Sequence, residues 1–411
     1  MAEVAKPWWL SFFERAFSFN FIAFSFVMFS CWFPTGFSAT FSTLAFIFSL
    51  PLFLCSFGQV KISLFEKAGL VLFGWLLVSI FWSQAGVWDS LGYLFEHRIY
   101  FMVPVFATAL YCLPNSQKWG LYAAVLGAVV ALITSYGLGL EWWKVEGARF
   151  SLANRIYHGF IMSALLLVVL LIARHTRGMI RISAIVIAGL TVYNVLNIET
   201  GRTGYLQVVA VSLLFVVLTF NRLQAAILCF GVAVAFSVAY LSLDRFSSNV
   251  DQTLANVERM VVNGDYQSSA GYRLEFYRVA IQIGADNPLG GVGVGDVVAE
   301  LKKYAESGQI PILTDNVHSE FMNMLVSGGA PALLLFLAFA LLIGREGLEY
   351  RKTDRACGDA LIGVAAIIFV SALFNSTMKD YGEKHALLII LSLLAATLLA
   401  NKAKSMNSTS S

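Results

Sequence analysis

Charge is scarce in this chain. Only 13% of its 411 residues are Asp, Glu, Lys or Arg, while 58% are hydrophobic. That balance excludes a string of soluble domains and defines a polytopic membrane protein. The formal net charge is only +3 and is spread along the chain, so a nucleic-acid partner is excluded. Cysteine is equally uninformative: Cys31, Cys55, Cys112, Cys229 and Cys357 stand alone, without metal spacing or a disulfide framework. The N-terminus carries no signal-peptide pattern, and Phe-rich text runs straight into the first apolar segments.

Several chemistry-bearing motifs are also missing. There is no Asp-x-Asp pair of the kind that metal-dependent, nucleotide-sugar transferases commonly use, no Walker loop and no His-Glu-x-x-His. The Gly293/Gly295 run follows no strand, which excludes a dinucleotide fold. No internal repeat is visible, so an inverted-repeat transporter gains no support. Arginines fit the neutralisation of a diphosphate leaving group better than metal-assisted hydrolysis does. No cofactor and no metal is expected.

What is present is hydrocarbon-compatible length. A span needs about 20 apolar residues, and about twelve segments qualify. They lie near 14–33, 37–57, 65–83, 98–113, 119–138, 156–173, 179–197, 203–220, 223–241, 321–343, 358–377 and 385–400. The expected fold is all-α, with these spans and a large, mostly helical periplasmic loop between spans 9 and 10. The expected division is 1–241 (spans 1–9), 242–320 (loop) and 321–411 (spans 10–12 and a tail). With both termini cytoplasmic, the inner connections hold fifteen Lys and Arg against seven in the short outer ones. The bias puts the long loop outside. Trp8, Trp9, Trp88, Trp119, Trp142 and Trp143 flank spans as interface anchors.

The loop is the one polar stretch long enough to build structure beyond a bilayer. Leu254, Val257 and Val261 mark a helical stripe over 251–262. A stronger helix runs from Ser269 to Ala285, with Tyr272, Phe276, Val279 and Ile283 on one face. Arg273 and Tyr277 sit a turn apart on a neighbouring face. Arg278 is about 140° around from Arg273, so the two do not easily serve one site. Asn287-Pro288 then stops the helix, and Thr314 or Asp315 is placed to cap the next one, with His318 in its first turn.

Each polar candidate has two readings. His318 at a helix start feels the positive helix end, which favours the neutral imidazole that a general base requires. The alternative is an interfacial histidine bonded to Asp315 or Glu320. Arg202 presents a fork that matches phosphate oxygens, or else snorkels to headgroups or pairs with Glu199. Arg273 reads the same way, with Asp265 as a salt-bridge alternative. Arg149, Asn154, Arg155 and His158 form a further cluster that suits sugar hydroxyls or phosphate, or solvation alone. Glu96-His97-Arg98 shares that ambiguity.

Taken in order, Thr200-Gly201-Arg202-Thr203-Gly204, the Asn287–Gly293 run and Asn316-Val317-His318-Ser319-Glu320 resemble the O-antigen ligase and polymerase superfamily. The likeness covers most of the chain from about Arg149 onward. It implies a multi-pass enzyme of the bacterial inner membrane whose active site faces the periplasm. The implied reaction is metal-independent and inverting, from an undecaprenyl-diphosphate-linked O-antigen donor to a sugar hydroxyl of lipid A–core. By position, Arg202 and Arg273 would hold the diphosphate and His318 would activate the acceptor. Arg149, Arg155, Tyr277 and Arg278 are further substrate-binding candidates. The O-antigen polymerase is the near alternative, and a lipid-linked-sugar flippase without chemistry is the distant one.

Overall fold

The computed structural model describes residues 8–31, 35–56, 58, 60–145, 154–199, 201–310 and 312–409. Among them there are helices and no strand, as the all-α expectation requires. Three helices open the chain: α1 (Trp8–Ser30), α2 (Thr35–Ser56) and α3 (Leu64–Val78). A short amphipathic α4 (Val87–Glu96) follows, then α5 (Ile99–Cys112) and α6 (Pro114–Gly139). The middle holds α7 (Arg155–His175), α8 (Gly178–Tyr193), α9 (Arg202–Thr219) and α10 (Arg222–Ser242). The polar stretch folds as α11 (Asp244–Asn263), α12 (Ser269–Asp286) and α13 (Val297–Glu306). The last three helices are α14 (Glu320–Tyr350), α15 (Arg355–Phe374) and α16 (Tyr381–Thr409).

Eleven helices among the described residues are long and apolar enough to cross a membrane. The expected fourth span is shorter than a span should be. α5 has 14 residues, about 21 Å at 1.5 Å per residue. Its side chains are nearly all buried, and it packs against α16, α2 and α3. A helix enclosed by other helices need not match the hydrocarbon thickness, because protein rather than lipid surrounds it.

Local chemistry sets where helices begin and bend. Ser63 and Glu66 form a reciprocal capping box at the start of α3. Tyr240 donates to Asp251 Oδ1 (2.6 Å), tying α10 to α11 where the chain leaves the bundle. α14 breaks at Gly329, whose φ of 69° lies in the left-handed region. The Pro288–Val292 turn fills the break: Ala330 N–H donates to Pro288 O and Val292 N–H to Val326 O, both at 2.8 Å. Gly291 passes so close that a Cβ there would lie 2.3 Å from Val326 O. Backbone groups freed by the kink are thus satisfied by the loop, as a low-dielectric setting requires.

Two polar clusters mark the two ends of the bundle. At one end Asp359 takes Arg174 (2.7 Å) and Arg351 (2.6 Å), and Glu346 accepts from Leu64 N–H (2.8 Å). At the other lie the starts of α2, α7, α9, α14 and α16, together with α11 to α13. The candidate site is at this second end.

Candidate active site

The site is assembled from helix beginnings. α7 starts at Arg155, with Asn154 Oδ1 accepting from Tyr157 N–H (2.8 Å). α9 starts at Arg202 behind Gly201 and has no side-chain cap. The two helices touch where Gly204 meets Gly159; a Cβ on Gly204 would lie 3.3 Å from the Gly159 Cα. Small residues allow this backbone approach, and it sets Arg155 beside Arg202. Phe246 packs edge-on against Tyr205 (4.9 Å between centroids), docking α11 over the start of α9. α12 begins at Ser269 with Ser268 Oγ accepting from Gly271 N–H (3.0 Å), and carries Arg273 in its second turn.

These pieces surround a cavity of ≈ 580 Å³. Four guanidiniums line it: Arg155, Arg202, Arg259 and Arg273. No carboxylate is among its lining residues. Among the described residues none of the four makes an ion pair within 4.0 Å, and the side-chain partners of Arg202 and Arg259 are neutral. Arg202 donates to Gln252 Oε1 (3.4 Å) and Arg259 to Asn256 Oδ1 (2.9 Å). Burial first, and then the neighbouring Arg202, lower the Arg273 guanidinium from its ordinary value. An anion would relieve both effects, and helix N-termini carry partial positive charge toward the same point.

His318 stands next to this cavity. Thr314 and Asn316 close a turn: the Thr314 hydroxyl donates to Asn316 O (2.6 Å). Asn316 Oδ1 then accepts from His318 N–H (2.8 Å), and Asn316 Nδ2 donates to Asp380 Oδ1 (3.0 Å). The Ser376 hydroxyl also bonds Asn316 Oδ1. His318 adopts φ 54°, a left-handed conformation that costs on the order of 1–3 kcal/mol and persists only where neighbours hold it. Tyr277 supplies part of that hold, its hydroxyl shared between His318 O (3.0 Å) and Leu373 O (2.9 Å). The expected register is therefore corrected. α14 starts at Glu320, its N-cap Ser319 makes no side-chain capping bond because its hydroxyl donates to Ala372 O (3.0 Å), and His318 precedes the helix. Thr314 serves the turn and not the cap, because its hydroxyl is already committed to Asn316.

The half-buried His318 ring packs beside Phe276 (6.0 Å), and among the described residues no hydrogen bond reaches the imidazole. Partial burial first, and then the Arg273 charge, push it below the ordinary histidine value; Asp315 opposes them. The neutral form thus dominates near pH 7. The imidazole lines a second cavity of ≈ 510 Å³ with Asn154, Asn375, Asp380, Tyr381 and Glu383. Burial raises the Asp380 carboxyl to about 6. Ile156 lines both cavities. Arg202, Arg273 and His318 hence line two adjoining cavities, with Arg273 feeling the Arg202 charge and itself acting on His318.

The remaining candidates separate cleanly. Arg278 pairs with Glu275 (2.9 Å) and donates to Gln309 O (2.9 Å), away from the cavity. Tyr277 braces His318 through its hydroxyl. Arg149 lies outside the described residues. His158 is buried and bonded to Asn194 (2.9 Å), so it belongs to the bundle interior. Glu199 lies by Arg155 rather than pairing with Arg202, and burial raises it to about 7. His97 is fully buried 4.0 Å from Glu320, and Arg98 reaches His385 Nε2 (2.9 Å); these brace α5 against α14 and α16.

Sequence reasoning overlooked Arg259, Gln252, Asp380 and Glu383. A signal existed for the first two. Asn249, Gln252, Asn256 and Arg259 recur at helical spacing and form the α11 face that meets the cavity. The apolar stripe is instead exposed: Leu254, Val257 and Val261 face outward at 62%, 44% and 79%.

Comparison with known proteins finds a family match. Residues 184–337 match the family model described as O-antigen ligase, a segment running from α8 into α14 that includes Arg202, Arg273 and His318. The match marks a likeness of this stretch to the O-antigen ligase family, in a chain with eleven helices fit to cross a membrane among its described residues. No curated protein matches the chain.

Proposed function

We propose that this protein is an O-antigen ligase. It moves a glycan from undecaprenyl diphosphate to a sugar hydroxyl of lipid A–core, without metal and with inversion at the anomeric carbon. Four guanidiniums lining a cavity that no carboxylate lines, beside a histidine pushed toward its neutral form, carry this reading.

The arginine cavity takes the diphosphate. The acceptor oxygen attacks the anomeric carbon, the bond from that carbon to the phosphate oxygen breaks, and the diphosphate leaves with the electron pair. The acceptor proton passes to the His318 imidazole. Negative charge grows on the leaving group as the bond breaks, and fixed guanidiniums in a water-poor cleft oppose it more strongly than water does. Such a cleft belongs at the outer face of the inner membrane, with both termini cytoplasmic and the stretch 242–320 in the periplasm. The exposed apolar stripe of α11 suits a helix resting at the bilayer interface.

Purified protein supplied with lipid-linked donor and lipid A–core, in EDTA and without ATP, is expected to yield ligated product. A polymerase would instead lengthen the lipid-linked glycan when lipid A–core is withheld, and a flippase would make no product at all. Either outcome refutes the ligase.

A further inference from the structure

The two adjoining cavities are lined by opposite kinds of ionisable residue. The first is lined by arginines with no acid. The second is lined by two acids with no Lys or Arg. The neighbouring Lys379 and Lys384 are outside its lining and occupied, though their charges reach Asp380. Lys379 Nζ donates to Asp315 O (2.6 Å) and lies 3.5 Å from Glu96 Oε2; Lys384 Nζ donates to Glu96 O (2.8 Å) and Lys379 O (2.9 Å).

We propose that the cavity beside His318 seats the acceptor sugar, and that Asp380 and Glu383 make it select hydroxyl- or amine-bearing rings over phosphorylated ones. This rests on the glycosyl-transfer reading and adds to it the chemical class of the acceptor ring. Both carboxylates are fixed by amides. Asn375 Nδ2 donates to Glu383 Oε1 (2.9 Å), and Asn316 Nδ2 donates to Asp380 Oδ1 (3.0 Å). A carboxyl group has more lone pairs than the one amide contact uses, so each retains acceptor capacity for sugar hydroxyls, which donate. A phosphate would face the Asp380 carboxylate and find no Lys or Arg among the lining residues to pair with. Thr35, Ser38 and Asn154 add neutral polar groups, and the Tyr381 hydroxyl is fixed by Ser38 (2.8 Å), which stiffens that wall. Asn316 holds Asp380 through its amide nitrogen and the His318 backbone through its amide oxygen. The groups that would bind the ring are thereby set in register with the group that would take its proton.

The test uses the full chain in nanodiscs and three probes on one scaffold: methyl glucoside, methyl glucosaminide and methyl glucoside 6-phosphate. Binding is read by saturation-transfer NMR, with inorganic pyrophosphate as a separate probe of the arginine cavity. The glucoside and glucosaminide are expected to bind the wild type. They should weaken about tenfold or more in Asp380→Asn/Glu383→Gln, since each loses a charge-assisted hydrogen bond. Pyrophosphate should bind that double variant as it binds the wild type, which also reports an intact fold. Should the double variant fail to fold, Asp380→Asn alone, at a half-buried position, carries the same expectation. Unchanged glucoside binding in these variants, no binding of any uncharged probe, or a carboxylate-dependent preference for the 6-phosphate overturns the proposal. These are binding readouts, so they stand or fall whether or not the chain transfers a glycan.

Discussion

Gly204 of α9 lies against Gly159 of α7, with a Cβ on Gly204 only 3.3 Å from the other glycine's Cα. Because both helices begin within a turn of this contact, it fixes the spacing of Arg155 and Arg202. Gly204→Val should push α9 outward. Overpacking of this kind costs about 1–3 kcal/mol. Expected outcomes are a lower Tm and a raised KM for lipid-linked donor, with the KM for acceptor unchanged. An unaltered donor KM in a folded variant would show that the spacing does not matter.

His318→Ala should leave the protein folded and able to bind donor while lowering transfer about 10²- to 10⁴-fold, the range for a general base. Single-turnover transfer measured beside pyrophosphate binding separates the two effects. Wild-type turnover would remove His318 from the chemistry.

Arg202→Ala, Arg273→Ala and Arg259→Ala should each weaken donor use by about tenfold or more, as charged hydrogen bonds are lost. Lys at 202 or 273 should restore only part, because an ammonium lacks the planar fork. Arg278→Ala should be far milder. Its pairing with Glu275 is exposed, and exposed pairs contribute about 0.2–1 kcal/mol. Steady-state kinetics of the four variants rank them directly.

The pH profile follows from the sign of the histidine shift. His318 is pushed below 6.5, so the base form is lost only as pH falls through a value under 6.5. The acid limb of kcat/KM should therefore lie below that of an ordinary histidine. Asp315 opposes the shift by favouring the imidazolium, so Asp315→Asn should move the limb lower still. A limb that moves upward would mean that a different group titrates.

Most of the fold was legible because span length and helical periodicity are local properties of the text. Three features were not. α4 has ten residues and hides in a connection, since its Val87, Trp88 and Phe95 face outward instead of marking a buried stripe. α11 inverts the usual rule: Asn256 is buried while Val261 is exposed, because its polar face meets arginines from α7, α9 and α12. The register of His318 depended on Asn316 capping the backbone two residues on, a choice made by partners at 376 and 380 that are distant in sequence. Of the site, Arg202, Arg273 and Arg155 were picked out as phosphate-matching guanidiniums, with the family resemblance choosing Arg202 and Arg273 for the diphosphate, and the structure brings all three to one cavity. Asp380 and Glu383 looked like any charges flanking a span.

Ile156 belongs to the walls of both chambers. On the proposed reading, a glycan passing from donor to acceptor crosses beside that side chain, and its bulk would gate the passage. Trp at this position should wall off two loaded but uncommunicating compartments, and Ala should widen the passage to bulkier first sugars.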